Sequence, residues 1–261
     1  MPVGATGVGE RIGAVLVDMD DTVFDHSLTC RAAIASLRSE RSFLRRRPLD
    51  VLWKEYLQLL DAVAPPSWSM GTILDRARRE RWRRIALSCG QELEPDDVAE
   101  LSGAYRARYQ RLRRPVPGAV ALLESLHRQV KVVIVTNNEV KEQEEKVRFL
   151  GVGPFLDGLV VSEAVGSAKP DRRIFEAGLS AAGVPAQRAT MLGDSWTSDV
   201  LGAAGAGVRP VWFNRFGLPR PDDGPIDELR SLRPLRPAQE LLLDAPSVHG
   251  RDRRRPASRA L

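Results

Sequence analysis

Cysteine is nearly absent: Cys30 and Cys89 are the only two in 261 residues, and they form no pattern. A disulfide framework is therefore excluded as the source of stability, and a reduced, cytoplasmic setting fits best. Long apolar runs are missing too. None approaches the roughly 20 residues that a membrane helix needs, so no membrane partner is expected. The start, Met1 to Glu10, is Gly-rich but has neither a basic segment nor an apolar run, which argues against a signal peptide. Lysine is scarce, with five among the 39 basic residues. Internal repeats and nucleic-acid-binding motifs are absent.

The formal net charge of +5 is unevenly spread. Residues Ala245 to Leu261 hold five Arg and one Asp, and Leu28 to Arg113 hold 16 Arg and one Lys against 11 acids. These two segments carry +4 and +6, which leaves the remainder at −5. Basicity concentrated in a tail and one internal segment, without a binding motif, gives no reason to expect nucleic acid as a partner. Hydrophobic content of 43% and charged content of 28% are ordinary for a soluble globular chain. The length suits one large domain or a core with a smaller inserted unit.

What is present is organised around Ala14-Val15-Leu16-Val17-Asp18-Met19-Asp20-Asp21-Thr22. Four apolar residues running straight into carboxylates predict a strand of a parallel sheet, covered on both faces. Such sheets do their chemistry in the crevice at the carboxyl ends of their strands. The chain must leave strand geometry after Asp18 if Asp18 and Asp20 are to converge. An Asp-x-Asp-x-Thr match arises by chance in about one chain in thirty of this length, and an acidic turn can simply end a strand. The later elements decide its meaning.

From Leu28 to about Arg113 no strand pattern occurs, and apolar faces predict helices. One carries Leu52, Trp53, Tyr56, Leu57 and Leu60; a second Ile73, Ala77, Trp82, Ile85 and Leu87; a third Val98, Leu101, Tyr105 and Tyr109. Core packing is the expected role of their aromatic residues. After Pro117-Gly118 helices and strands alternate. Helices are expected at Ala119 to Leu126, Glu139 to Phe149, Pro170 to Ala182 and Asp199 to Ala206. Strands are expected at Arg11 to Val17, Lys131 to Val135, Leu159 to Ser162, Thr190 to Leu192 and Arg209 to Phe213. Pro225 to Leu243 reads as a last irregular helix. The fold class is thus α/β: a Rossmann-like parallel sheet flanked by helices, with an inserted all-helical cap. The core is expected over 11–27 and 114–243, the cap over 28–113, and flexible termini over 1–10 and 244–261.

Each strand after the first also ends in polar residues: Thr136-Asn137-Asn138, then Lys169 before a helix, then Gly193-Asp194-Ser195 with Asp199 five residues past Asp194. In this order Asp18-Met19-Asp20-Asp21-Thr22, Thr136, Lys169 and Gly193 to Asp199 resemble the four motifs of the haloacid dehalogenase superfamily. The resemblance covers about Ile12 to Gly217, and the helical insert looks like that superfamily's subfamily I cap.

The residue types suit phosphoryl transfer. Asp18 is expected as nucleophile, through an aspartyl-phosphate that splits one hard displacement into two. Asp20 is expected as general acid and base. Thr136, Asn137 through its amide, and Lys169 are expected to hold the phosphate. A Lys beside a helix N-terminus opposes the dipole, so an anion there would explain Lys169. Asp18, Asp194 and, by the resemblance, the Asp20 main-chain carbonyl are expected to hold Mg²⁺, with Asp199 supporting the metal shell or Lys169.

The expected function is a Mg²⁺-dependent phosphatase acting on a small phosphorylated metabolite, as a monomer or homodimer. Val161-Ser162-Glu163, Ala168-Lys169-Pro170 and Val211 to Arg215 look most like the nucleotidase and N-acylneuraminate-9-phosphatase branch. Halocarboxylate dehalogenases of the superfamily lack an acid two positions after the nucleophile, which disfavours dehalogenation here. A phosphomutase shares both acids and stays open. A non-catalytic binding protein on this fold would be expected to have lost Asp18 or the metal site, and neither is lost. Arg76, Arg79 and Arg83 of the cap are expected mostly to face solvent, and His26 to be a turn residue.

Overall fold

The computed structural model describes residues 11–62 and 71–244, with side chains described from 11 to 60 and 75 to 244. The expected flexible termini, 1–10 and 244–261, lie outside these residues except for Asp244, as does the Ile73 side chain.

Strand β1 (Ala14–Val17) is buried along its whole length. A run of helices follows: α1 (His26–Glu40), α2 (Leu49–Ala62), α3 (Gly71–Ser88) and α4 (Pro95–Arg111). The chain then alternates through α5 (Ala119–His127), β2 (Lys131–Thr136), α6 (Val140–Leu150) and β3 (Gly158–Val161). A single turn, α7 (Ser162–Val165), leads to α8 (Arg172–Ala182) and β4 (Ala189–Gly193). A π-helical turn over Trp196–Leu201 runs into α9 (Gly202–Gly205), then β5 (Arg209–Phe213), β6 (Asp227–Leu229) and α10 (Leu235–Leu243).

All six strands are parallel, in the order β3-β2-β1-β4-β5-β6. Alternation along β1 divides the core. Val15 and Val17 pack with Leu122, Leu123 and Leu126 of α5 and Leu242 of α10, whereas Ala14 and Leu16 pack with Ile174 and Phe175 of α8 and Ala203 of α9. Both faces are covered, which is why β1 needs no polar residue until it ends. A third cluster holds the inserted helices together: Ile34 and Leu37 of α1, Leu52 and Tyr56 of α2, Trp82 and Ile85 of α3, and Leu101 and Tyr105 of α4.

Local signals set the helix boundaries. Helix α1 is capped by the Asp25 carboxylate, which accepts from the Leu28 amide at 3.3 Å, and Pro95 with Asp96 and Asp97 opens α4. Helix α6 stops at Gly151, whose φ of +66° favours glycine.

Several expectations are corrected. The sheet has a sixth strand where an irregular helix was expected, because Asp227-Glu228-Leu229 pairs as a short, half-buried edge without an apolar pattern. Helix α8 begins at Arg172, not Pro170, since Asp171 caps it by accepting from the Arg173 amide at 2.9 Å. Lys169 therefore lies in the preceding loop rather than at a helix start. Leu87 is 55% exposed: at about 100° per residue it sits roughly 200° round α3 from buried Ile85.

Candidate active site

The site follows from strand register. Val17 stands level with Ile134 on β2 and with Leu192 on β4. Asp18 is thus level with Val135 and Gly193, and Thr136 and Asp194 come one residue further on the two neighbouring strands. Strand β1 is where the sheet order reverses, the place at which parallel sheets open a crevice. Beyond β1 the chain folds into a tight turn. Val23 and Phe24 donate to the Met19 carbonyl at 2.9 and 2.8 Å. Asp21 takes φ of +61° and accepts from the Ser27 amide and hydroxyl at 2.9 and 2.6 Å. The turn carries Asp18 and Asp20 into separate environments.

Asp18 is 6% exposed, and Lys169 Nζ donates to it at 2.5 Å and to Asp199 at 2.6 Å. Asp199 also accepts from the Ser195 amide at 2.9 Å. Gly193 makes room for this arrangement, because a Cβ there would collide with the Asp199 carboxyl. Carboxylate oxygens of Asp18, Asp194 and Asp199 all lie within 4.8 Å of one another. Burial pushes Asp18 up to about 7, with Asp199 and Asp20 adding to the shift and Lys169 opposing it. Burial also raises Asp194, reinforced by Asp18 and Asp199. Three crowded acids share one ammonium, and their donors are all hard oxygens. That donor chemistry fits a divalent cation such as Mg²⁺.

Asp20 points elsewhere. Lys146 Nζ donates to both its oxygens, at 2.7 and 2.8 Å, and Gln143 Nε2 donates to Asp20 at 3.1 Å and to Thr136 Oγ1 at 3.0 Å. Burial acts to raise Asp20, but Lys146 and His26 outweigh it and hold the carboxyl at about 2. Two acids two residues apart are thus pushed in opposite directions, as in sites that divide nucleophile from proton carrier.

His26 is the first residue of α1 rather than a turn residue. Its Nδ1 lies 2.8 Å from Tyr109 Oη on α4 and 3.8 Å from Asp20. The Asn137 side chain clamps the Lys169 loop, donating to the Lys169 carbonyl at 2.9 Å and accepting from its amide at 2.8 Å.

A cavity of about 470 Å³ opens between the inserted helices and the sheet edge. Asp20, Asn137 and Lys146 line its core side, and Tyr56, Arg81 and Trp82 its cap side. Asp18, Thr136 and Asp194 lie outside this lining. Of the three cap arginines named from sequence, Arg79 lines the cavity, while Arg83 pairs with Glu80 at 2.7 Å and Arg76 is exposed.

Sequence reasoning missed Lys146, Gln143 and Arg81. Each sits on the buried stripe of a helix otherwise rich in charge. Gln143, Lys146 and Leu150 share one face of α6, and Ala77, Arg81 and Ile85 share one face of α3 at a spacing of four. A polar residue on an apolar stripe is the signal that could have found them.

Among the described residues no helix is long and apolar enough to cross a membrane. The family model for haloacid dehalogenase-like hydrolases matches residues 12–207. The pyrimidine 5′-nucleotidase YjjG of Escherichia coli is 33% identical over 176 residues, 64% of this chain and 75% of that protein. A phosphoserine phosphatase of Thermus thermophilus is 32% identical over 239 residues, 80% of this chain and 90% of that protein. The HAD-hydrolase YfnB of Bacillus subtilis, solved bound to magnesium, superimposes with a TM-score of 0.69 at 26% identity, over 88% of this chain and 99% of that one. With the acids, the lysine and the covered parallel sheet in place, the chain belongs to the haloacid dehalogenase-like hydrolases and is a hydrolytic enzyme.

Proposed function

We propose that this enzyme is a Mg²⁺-dependent phosphatase that hydrolyses a small phosphorylated metabolite through an aspartyl-phosphate on Asp18. The observation that carries this reading is the pairing of a nucleophile-like Asp18, set among Lys169, Asp194 and Asp199, with a separately held Asp20 two residues later. The phosphatase and nucleotidase relatives support it.

In the first step an Asp18 oxygen attacks phosphorus, the ester P–O bond breaks, and the leaving oxygen takes a proton from Asp20. In the second, Asp20 accepts a proton from water as its oxygen attacks phosphorus and the Asp18–phosphorus bond breaks. Lys146 keeps the resting Asp20 ionised, so Asp20 takes up a proton from solvent as substrate binds before it gives one to the leaving oxygen. How firmly Lys146 holds it sets its strength as an acid. Lys169, Thr136 and the Asn137 amide bind the phosphoryl oxygens as charge shifts among them. Asp18, Asp194 and the Asp20 carbonyl would hold Mg²⁺, with Asp199 steadying Lys169. The bound ion would offset the repulsion between carboxylate and phosphate.

Residues 28–113 act as the cap and residues 11–27 with 114–243 as the core. The two crossing segments are paired where the Val116 amide donates to the Val23 carbonyl at 2.9 Å and the Asp25 amide to the Arg114 carbonyl at 3.0 Å. Dehalogenation would release a halide that needs no proton, leaving Asp20 and its Lys146–Gln143 surround without a task.

Phosphate release from p-nitrophenyl phosphate, measured with and without Mg²⁺, tests the reading. Activity that requires Mg²⁺ and vanishes in Asp18→Asn is expected, because an amide is a poor nucleophile and carries no charge. Wild-type turnover in folded Asp18→Asn would remove the covalent mechanism.

A further inference from the structure

Arg81 is the buried arginine of its helix. Arg78 pairs with Asp75, Glu139 and Glu142 at 3.1, 3.5 and 2.6 Å, and Arg83 and Arg84 both pair with Glu80 at 2.7 Å. Arg81 is 7% exposed and has no carboxylate partner among the described residues. Its closest polar contact is a long one, Nη1 to Tyr56 Oη at 3.4 Å, and its Nε is buried without any partner. The guanidinium carbon lies 5.8 Å from the Tyr56 ring centre. A guanidinium held out of water without an anion is costly, and a fork of N–H donors is built for a pair of anionic oxygens.

This group faces the cavity whose other side is Asp20, Asn137 and Lys146. Of the acids that line the cavity, Asp75, Glu139 and Glu142 are engaged by Arg78 and Asp20 by Lys146, and none, Glu145 included, pairs with Arg81 among the described residues. At about 470 Å³ the cavity is within the size range of small-molecule sites and much larger than a phosphate alone requires.

We propose that Arg81 forms a second anion subsite in the cap, which selects phosphate esters bearing a further carboxylate or phosphate away from the scissile group. Tyr56, Trp82 and Tyr105 wall the subsite and keep it dry, so that the ion pair is formed in a medium where it is strong. The inference deepens the phosphatase reading and depends on it for the identity of the group at Asp18. The selectivity itself is a matter of binding, and it can be measured without turnover.

Calorimetric titration of full-length Asp18→Asn, alone and combined with Arg81→Met, separates the possibilities. The ligands are glycerol 3-phosphate, 3-phosphoglycerate, fructose 1,6-bisphosphate and uridine 5′-monophosphate. Binding of 3-phosphoglycerate or of the bisphosphate about 10-fold tighter than glycerol 3-phosphate is expected, and which of them gains identifies the second anion as carboxylate or phosphate. Arg81→Met should erase that gain, and Arg81→Lys should retain part of it.

Because Arg81→Met removes an unpaired buried charge, it should melt at or above the wild-type temperature in the absence of ligand. Equal affinities for all the esters, preference for the neutral uridine ring, a gain that survives in Arg81→Met, or a melting temperature lowered by several degrees would each overturn the proposal. Failure to hydrolyse p-nitrophenyl phosphate alongside an Arg81-dependent gain would remove the phosphatase reading and leave the subsite standing.

Discussion

Replacing Lys146 by Met keeps most of the apolar stem and removes Nζ, which lies 5.2 Å from the Phe24 ring centre, together with its charge beside Asp20. Asp20 is held at about 2, against an ordinary 3.8. A difference of that size corresponds to about 2.5 kcal/mol of folding stability. Since the folded-state value is depressed, this contribution is present above about pH 4 and is lost as pH falls towards 2. Without Lys146, burial meets less opposition and the Asp20 value rises, so the variant loses that contribution.

Removing one partner of a buried pair costs about 3–5 kcal/mol. Lys146 is 1% exposed but a quarter of the Asp20 side chain reaches solvent, and Gln143 and His26 stay beside it. The lower end of that range applies. Urea unfolding should therefore show Lys146→Met about 3 kcal/mol less stable than wild type at pH 7, with the difference shrinking as pH falls below about 4. A difference below about 0.5 kcal/mol at pH 7, or one that does not change with pH, would show that Lys146 does not set the state of Asp20.

Other consequences can be checked more briefly. Asp20→Asn should slow both formation and hydrolysis of the phospho-enzyme in rapid-quench experiments, by about 10²–10⁴-fold; a change in substrate affinity alone would make Asp20 structural. Gly193→Ala drives a methyl into the Asp199 carboxyl, and should lower stability by about 1–3 kcal/mol together with turnover. Wild-type activity in that variant would mean that Asp199 does not anchor Lys169. Arg78→Ala breaks the ion pairs from α3 to Glu139 and Glu142, and should raise amide hydrogen exchange in α3 about 10-fold. Unchanged exchange would show that these pairs do not hold the cap.

Asp18, Thr136 and Asp194 were legible in the sequence because each stands just past an apolar run, and Lys169 and Asp199 because they complete the order and spacing of the motifs around them. Apolar runs are local patterns, and the residue after a buried parallel strand is delivered to the crevice by topology. Lys146 was not legible for the complementary reason. Its partner is 126 positions away, and along the chain it lies among Glu142, Glu144, Glu145 and Arg148, where it reads as one more solvated charge. Arg81 was hidden in the same way by Arg78, Arg79, Arg83 and Arg84. Strand β6 escaped because its three residues are half-buried and two of them are acidic, with pairing to β5 as the feature that makes them a strand. Lys169 was found, but its placement was misread: a dipole argument needs a helix start, and Asp171 puts that start three residues later.

The two central acids differ most in what lies behind their cations. Lys169, which binds Asp18, is shared with Asp199, and all three belong to the sheet edge. Lys146, which binds Asp20, lies 3.6 Å from Glu142, and Glu142 is bonded to Arg78 of α3 at 2.6 Å. A second route runs from Asp20 through His26 to Tyr109 of α4. The nucleophile is therefore insulated from the inserted helices, while the proton carrier is wired to them twice. If α3 moves away, Arg78 releases Glu142, whose charge then draws more strongly on Lys146 and loosens its hold on Asp20. On the proposed mechanism, displacement of these helices would act on the group that changes protonation during turnover and leave alone the group that keeps its geometry, a division that follows from which lysine each acid was given.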